Sequence, residues 1–311
     1  GTNAIRKGTE GNCNIAIGVS AMQNASTGSD NVGVGNGALQ NNNTGASNTA
    51  LGALTLDANT TANSNTAVGF CSLSTNTTAN SNTAVGCGAL KLTTTGCFNT
   101  AVGDAALRDN TTGDNNVAIG CGALANNETA DANVAIGFKS LVSTTTGCQN
   151  VAVGHCTMTQ NITGDGNTAL GYLALFCNNG STPDFNVAVG RQALYSTTSG
   201  YRNVGIGLNA MYSTTTGYTN VAIGANAMYT NSTGIRNIAV GACSLEASTT
   251  SSDNVAIGFT ALDNNTTGSD NVAVGNNALD ANTTASNNTA VGHNAGCANT
   301  TGAGNTNIGK V

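Results

Sequence analysis

Thiols, imidazoles, carboxylates and glycan acceptors are the groups here with chemistry of their own, so their spacing is read first. The ten cysteines are Cys13, Cys71, Cys87, Cys97, Cys121, Cys148, Cys156, Cys177, Cys243 and Cys297, and they recur at no constant interval. Such scatter argues against a disulfide framework. Cys71 and Cys87 lie near enough in sequence for a bridge to be conceivable, but half-buried free thiols are the simpler expectation. The two histidines, His155 and His293, lie too far apart to share a site. We find no acidic pair recurring at one repeat position, no cluster of His with carboxylates and no phosphate-binding loop. The expectation is a chain that is not an enzyme, holds no metal and takes no cofactor.

Three surface chemistries are weaker readings. Asn-Thr-Thr begins at Asn59, Asn76, Asn110, Asn265, Asn282 and Asn299, which matches a glycosylation acceptor and also a plain turn. Thr27, Thr44, Thr61, Thr78, Thr95, Thr112 and Thr129 form a rank that could bind ice, although paired threonines are consecutive and should diverge. Tyr195, Tyr201, Tyr212, Tyr218 and Tyr229 gather into a stripe that could take carbohydrate, with simple surface decoration as the alternative.

What must position these residues is a repeat. The pentad Asn, β-branched, Ala, aliphatic, Gly stands at Asn65-Thr66-Ala67-Val68-Gly69 and again at Asn82-Thr83-Ala84-Val85-Gly86, 17 residues on. One step is longer: Gly171 to Gly190 spans 19 residues and holds the only proline, Pro183, so a two-residue bulge is expected near 181–184. Otherwise residues 1–311 read as one continuous array of eighteen repeats, with no atypical polar cap at either end, and as a segment of a longer chain.

Apolar positions in the pentad alternate with period two, which is a strand and not a helix. The small residue and Leu that follow are read as a second short extended piece, and Asn-Thr-Thr-Gly as a turn. Each repeat is then one coil of an all-β β-solenoid, a parallel β-roll of eighteen 17-residue coils. At about 4.8 Å per stacked strand these would rise roughly 85 Å.

Stacking places an Asn ladder through the coils at Asn14, Asn31, Asn48, Asn65, Asn82, Asn99, Asn116, Asn133, Asn150, Asn167, Asn186, Asn203, Asn220, Asn237, Asn254, Asn271, Asn288 and Asn305. The core is expected from the strand aliphatic and the following Leu, as at Val68, Leu73, Val85, Leu90, Val102, Leu107, Ile119 and Leu124. Ala and Gly then occupy the opposite strand face, where close approach suits a contact between chains, so association into a homotrimer is expected, with a single-chain solenoid as the alternative.

Composition narrows the partners. Charged residues are 8% and the net charge of −6 forms no basic patch, so neither nucleic acid nor an anionic membrane is an expected partner. Regular aliphatics set the chain apart from disordered sequence, and no apolar run reaches the ~20 residues of a membrane helix.

Units such as Asn116-Val117-Ala118-Ile119-Gly120 followed by Gly122-Ala123-Leu124, and the run Arg191 to Gly200, resemble repeats of bacteriophage tail-fibre proteins, which often end in an endosialidase-type chaperone. The pentad also resembles the head repeats of trimeric autotransporter adhesins, whose repeat is shorter. The resemblance implies a trimeric fibre that is extracellular, on the cell surface or on a virion. It implies that a host-surface receptor is met through regions outside this segment. The expected function is therefore a structural shaft; an end-to-end self-assembling filament and an ice-binding solenoid are the alternatives.

Overall fold

The computed structural model describes residues 2–5, 11–180 and 184–310. Among these residues there are strands and turns and no helix, and the fold is an all-β solenoid of parallel coils. Two compact units, residues 1–150 and 151–311, are each described by themselves.

In the first unit the strands are β1 (Ile15–Ile17), β2 (Val32–Val34), β3 (Thr49–Leu51), β4 (Thr66–Val68), β5 (Thr83–Val85), β6 (Thr100–Val102), β7 (Val117–Ile119) and β8 (Val134–Ile136). In the second they are β9 (Val151–Val153), β10 (Thr168–Leu170), β11 (Val187–Val189), β12 (Val204–Ile206), β13 (Val221–Ile223), β14 (Ile238–Val240), β15 (Val255–Ile257), β16 (Val272–Val274), β17 (Thr289–Val291) and β18 (Thr306–Ile308). Within each unit consecutive strands pair in parallel and in register, as with Thr83 opposite Thr100 and Ala84 opposite Ala101. The register survives the longer step, where Thr168 faces Val187. Of the insertion itself, Ser181, Thr182 and Pro183 lie outside the described residues, as does Gly1.

Strands β2–β17 bury their central residue and turn their two flanking residues outward, while the central residues of β1 and β18 are half-buried. The central Ala is fully buried at Ala67, Ala84, Ala101 and Ala118, and beside it lie the wholly buried Leu73, Leu90, Leu107 and Leu124. Val68 and Val85 are only partly covered, while Val102 and Ile119 are 36% and 39% exposed. The expectation that placed these four in the core is corrected, and with it the outward Ala face on which the homotrimer rested. A 17-residue coil is thin. One Leu or Met and two small residues fill it, leaving no room for branched strand residues as well.

The residues after the motif glycine form a tight turn in place of the expected second extended piece. Every core Leu or Met from Met22 to Leu279 takes a left-handed φ, between 49° and 56°. That conformation costs an L-residue about 1–2 kcal/mol. It is held because turn amides bond across coils as strand amides do: Leu107 N–H donates to Ala123 at 2.9 Å and Leu124 N–H to Ser140 at 2.9 Å. The motif glycine is required twice over. Gly120 has φ 130°, and a Cβ there would lie 2.6 Å from the carbonyl oxygen of Gly137 in the next coil.

Candidate functional site: internal ladders and the outward strand face

The ladder Asn residues are buried from Asn31 to Asn288, with Asn14 half-buried and Asn305 exposed. Their bonding differs from a column of amides paired only with one another. Asn116 Oδ1 accepts from the backbone N–H of Asn133 at 2.9 Å, and its Nδ2 donates to the carbonyl of Ala130 at 2.8 Å. A longer bond of 3.1 Å runs from the same Nδ2 to Asn99 Oδ1. An Asn bonded in this way ties the start of a strand and the preceding turn of the next coil to its own coil, satisfying two backbone groups that would otherwise be buried unpaired; Asn167, which donates to Asp184, and Asn288, whose Nδ2 has no partner, depart from it.

A second internal column is formed by the turn Asn residues. Asn42, Asn59, Asn76, Asn110, Asn127, Asn161, Asn178, Asn231, Asn265 and Asn282 are fully buried. Asn59 Nδ2 donates to Asn42 Oδ1 at 2.7 Å, and Asn110 Nδ2 to the carbonyl of Gly113 at 3.0 Å. The acceptor motifs at 59, 76, 110, 265 and 282 therefore point their amides into the core, closed to a glycan in the folded chain; of that set Asn299 alone is only half-buried. The first Thr of a turn pair also bonds backbone, as Thr94 Oγ1 does to Thr111 at 3.1 Å, while Thr95, Thr112 and Thr129 stand exposed.

A third column lies two residues before each ladder Asn. Where this residue is Ser, Asn, Asp or Cys its side chain can accept from the backbone of the previous coil: Cys97 N–H donates to Asp114 Oδ1 at 2.6 Å and Asp114 N–H to Asp131 Oδ1 at 2.7 Å. Sulfur serves the same role, since Asp131 N–H lies 3.3 Å from Cys148 Sγ. The place of Cys97 and Cys148 is thus set by acceptor geometry. None of the ten cysteines, Cys71 and Cys87 included, is in a disulfide. Cys243 is pushed up to about 11 by its hydrogen bond to Glu246, then by burial and the charges of Glu246 and Asp263.

The insertion carries its own repair. Asp184 is fully buried, and its Oδ2 accepts from Asn178 Nδ2 at 2.9 Å and Asn167 Nδ2 at 3.3 Å. A carboxylate oxygen takes the role that a turn carbonyl has in other coils. Its Oδ1 and the Oδ1 of Asn178 have no partner, and burial raises the carboxyl above the usual range, outweighing the two amide donors.

Glu246, Asp263 and Asp280 stack in consecutive coils five residues after the motif glycine, which corrects the reading that no acidic pair recurs at one repeat position. Burial, then the charges of Glu246 and Asp280, push the Asp263 carboxyl up to about 6. The interval of 17 was visible in the sequence and was the signal to follow. Farther along, Gly296 replaces the core Leu and Asn307 the central strand Ala. A Cβ on Gly296 would lie 3.0 Å from Asn307 Nδ2, so the amide occupies the space the Leu gave up. An open cleft of about 350 Å³ lies there between Asn294, Cys297 and Asn307.

The tyrosines separate into two stacks. Phe176, Tyr195, Tyr212 and Tyr229 follow one another at 5.2, 5.0 and 5.2 Å, with planes within 10°. Tyr201 and Tyr218 stack at 4.7 Å. Ring faces are spent on one another, which leaves edges and not platforms for a sugar. His155 packs on Tyr172 at 5.5 Å, and no group of three or more potential metal ligands occurs among the described residues.

What remains is the outward strand face. At each strand the first and third residues point away from the core, and in all eighteen strands they are Val, Ile, Leu or Thr. The sequence matches no protein-family model and no curated protein.

Proposed function

We propose that the chain is a structural shaft segment of an extracellular or virion-borne fibre, setting the distance between an anchor and a receptor-binding tip. The observation that carries this reading is the in-register repetition of the Asn clamp. Each coil bonds the next through the same side-chain and backbone groups, from Asn31 to Asn150 in one unit and from Asn186 to Asn305 in the other. Bending or sliding one coil against another breaks several buried bonds at once, so the stack resists deformation.

Away from the strands, side chains facing solvent vary freely from coil to coil, whereas the inward groups vary little, which is the pattern of a scaffold rather than of a localised catalytic centre. Ice binding is the weaker reading, because the first Thr of a pair is bonded to backbone and only the second is presented. Electron microscopy with light scattering tests the proposal. Unbranched particles of one fixed length support a shaft, while particles that lengthen with concentration favour an end-to-end filament.

A further inference from the structure

We propose that the outward face of strands β11–β16 is a self-association surface, occupied by the same face of a second copy of this chain. The inference is independent of the shaft reading, since it concerns one face and not the role of the whole.

In these six strands both outward positions are aliphatic throughout, running from Val187 and Val189 to Val272 and Val274. Ile223 and Ile257 are 39% and 40% exposed, well above what a core residue shows. Strand propensity alone explains β-branching, but it would admit Thr, Tyr or a charged residue at some of these positions. Thr does appear beside the patch: Thr168 opens β10, and Thr289 and Thr306 open β17 and β18. An aliphatic centre with hydroxyls at its margins is the anatomy of an interface.

With coils about 4.8 Å apart and a face roughly 10 Å wide, the six aliphatic strands present on the order of 300 Å², and with their neighbours at the margins the ten strands of the unit present about 500 Å². The aliphatic centre is at the lower end of the largest patch of a typical monomer, and pairing two copies over all ten strands buries about 1,000 Å² in total, where specific interfaces begin.

The occupant is assigned by period and charge. Rows of methyl groups repeating with the coil interlock along their whole length only with rows of the same repeat, as in dry sheet-to-sheet interfaces, and a second copy supplies them. The face carries no Asp, Glu, Lys or Arg, so two copies of a chain with net charge −6 meet there without opposing like charges. Paired sheets would lie about 10 Å apart.

The test is the molar mass of the full chain by light scattering across a dilution series, for wild type and for Ile223→Lys with Ile257→Lys. Two chains for wild type and one for the variant are expected, with unchanged far-ultraviolet circular dichroism. Should the lysines impair folding, Val221→Thr with Val255→Thr replaces them, because Thr already stands in that column at Thr168 and Thr289; dissociation at least tenfold weaker in Kd is expected. A monomeric wild type overturns the proposal, as does a three-chain assembly, or a mass that neither variant changes. A monomer whose thermal hysteresis disappears in the variants also overturns it and assigns the face to ice.

Discussion

Asn116 Oδ1 lies 2.9 Å from the backbone nitrogen of Asn133, while its Nδ2 lies 2.8 Å from the carbonyl oxygen of Ala130. One side chain therefore serves a donor and an acceptor of the neighbouring coil, both buried. Asn116→Ala leaves both unpaired and should destabilise the first unit by about 2–5 kcal/mol. Asn116→Asp keeps the acceptor but sets a carboxylate against the Ala130 carbonyl, so it should cost at least as much. Urea unfolding followed by circular dichroism checks this; an Asp variant as stable as wild type would contradict the two-sided clamp.

Glycines of two kinds separate cleanly. Gly120 combines φ 130° with a close approach to Gly137, so Gly120→Ala should cost about 3 kcal/mol or more. At Gly113 no positive φ is involved; a Cβ there would press on the Ala130 carbonyl oxygen, but Ala62, Ala79 and Ala130 already occupy the equivalent turn position, so the backbone accommodates a methyl group there by a small shift. Gly113→Ala should therefore cost clearly less than Gly120→Ala. Comparable losses of thermal stability in the two variants would show that the turn glycines are as constrained as the motif glycines.

Asp263 gives the second unit a pH dependence. Its folded carboxyl titrates near 6 against an ordinary value of 3.8, so the folded state holds the proton more tightly between these values. The associated stability is present below the ordinary value and is lost as pH rises toward and through about 6. Melting temperatures measured from pH 4 to 8 should fall over this window more steeply for wild type than for Asp263→Asn. Parallel profiles would refute the assignment.

At the insertion the same logic favours an amide. Asp184 is buried with its Oδ1 unpartnered, as is the Oδ1 of Asn178, whose Nδ2 donates to Asp184 Oδ2. Asp184→Asn retains an acceptor, adds a donor and removes a charge that burial disfavours. It should stabilise the second unit by about 1–3 kcal/mol at pH 7. Destabilisation at neutral pH would mean that the charge itself is needed there.

Much of the architecture is legible because stacking punishes any drift in period: coil length, strand position and the buried Leu at Leu73 to Leu124 all follow from it. Which strand face turns inward is not legible in the same way. Period two states that Ala67 and Val68 point to opposite sides, but only the width of the coil decides which is inside, and Ala wins because Leu73 already fills the interior. The turn Asn column was hidden for another reason. Asn59 and Asn110 look like ordinary turn formers, and Thr or Ser replaces Asn at Thr93, Thr144 and Ser248, so the column reads as local preference until the coils are superposed. No residue type announces the left-handed φ of Leu124, which neighbours impose.

The central claim, that this chain is a stack whose length is its function, is tested most directly by removing whole coils. Deletion of residues 204–271 joins Asn203 to Val272, in the register the ladder already uses, and takes out four coils of 17 residues. Particle length by electron microscopy should shorten by about 19 Å with cooperative unfolding retained. An unchanged length, or a deletion variant that no longer folds, would contradict the account.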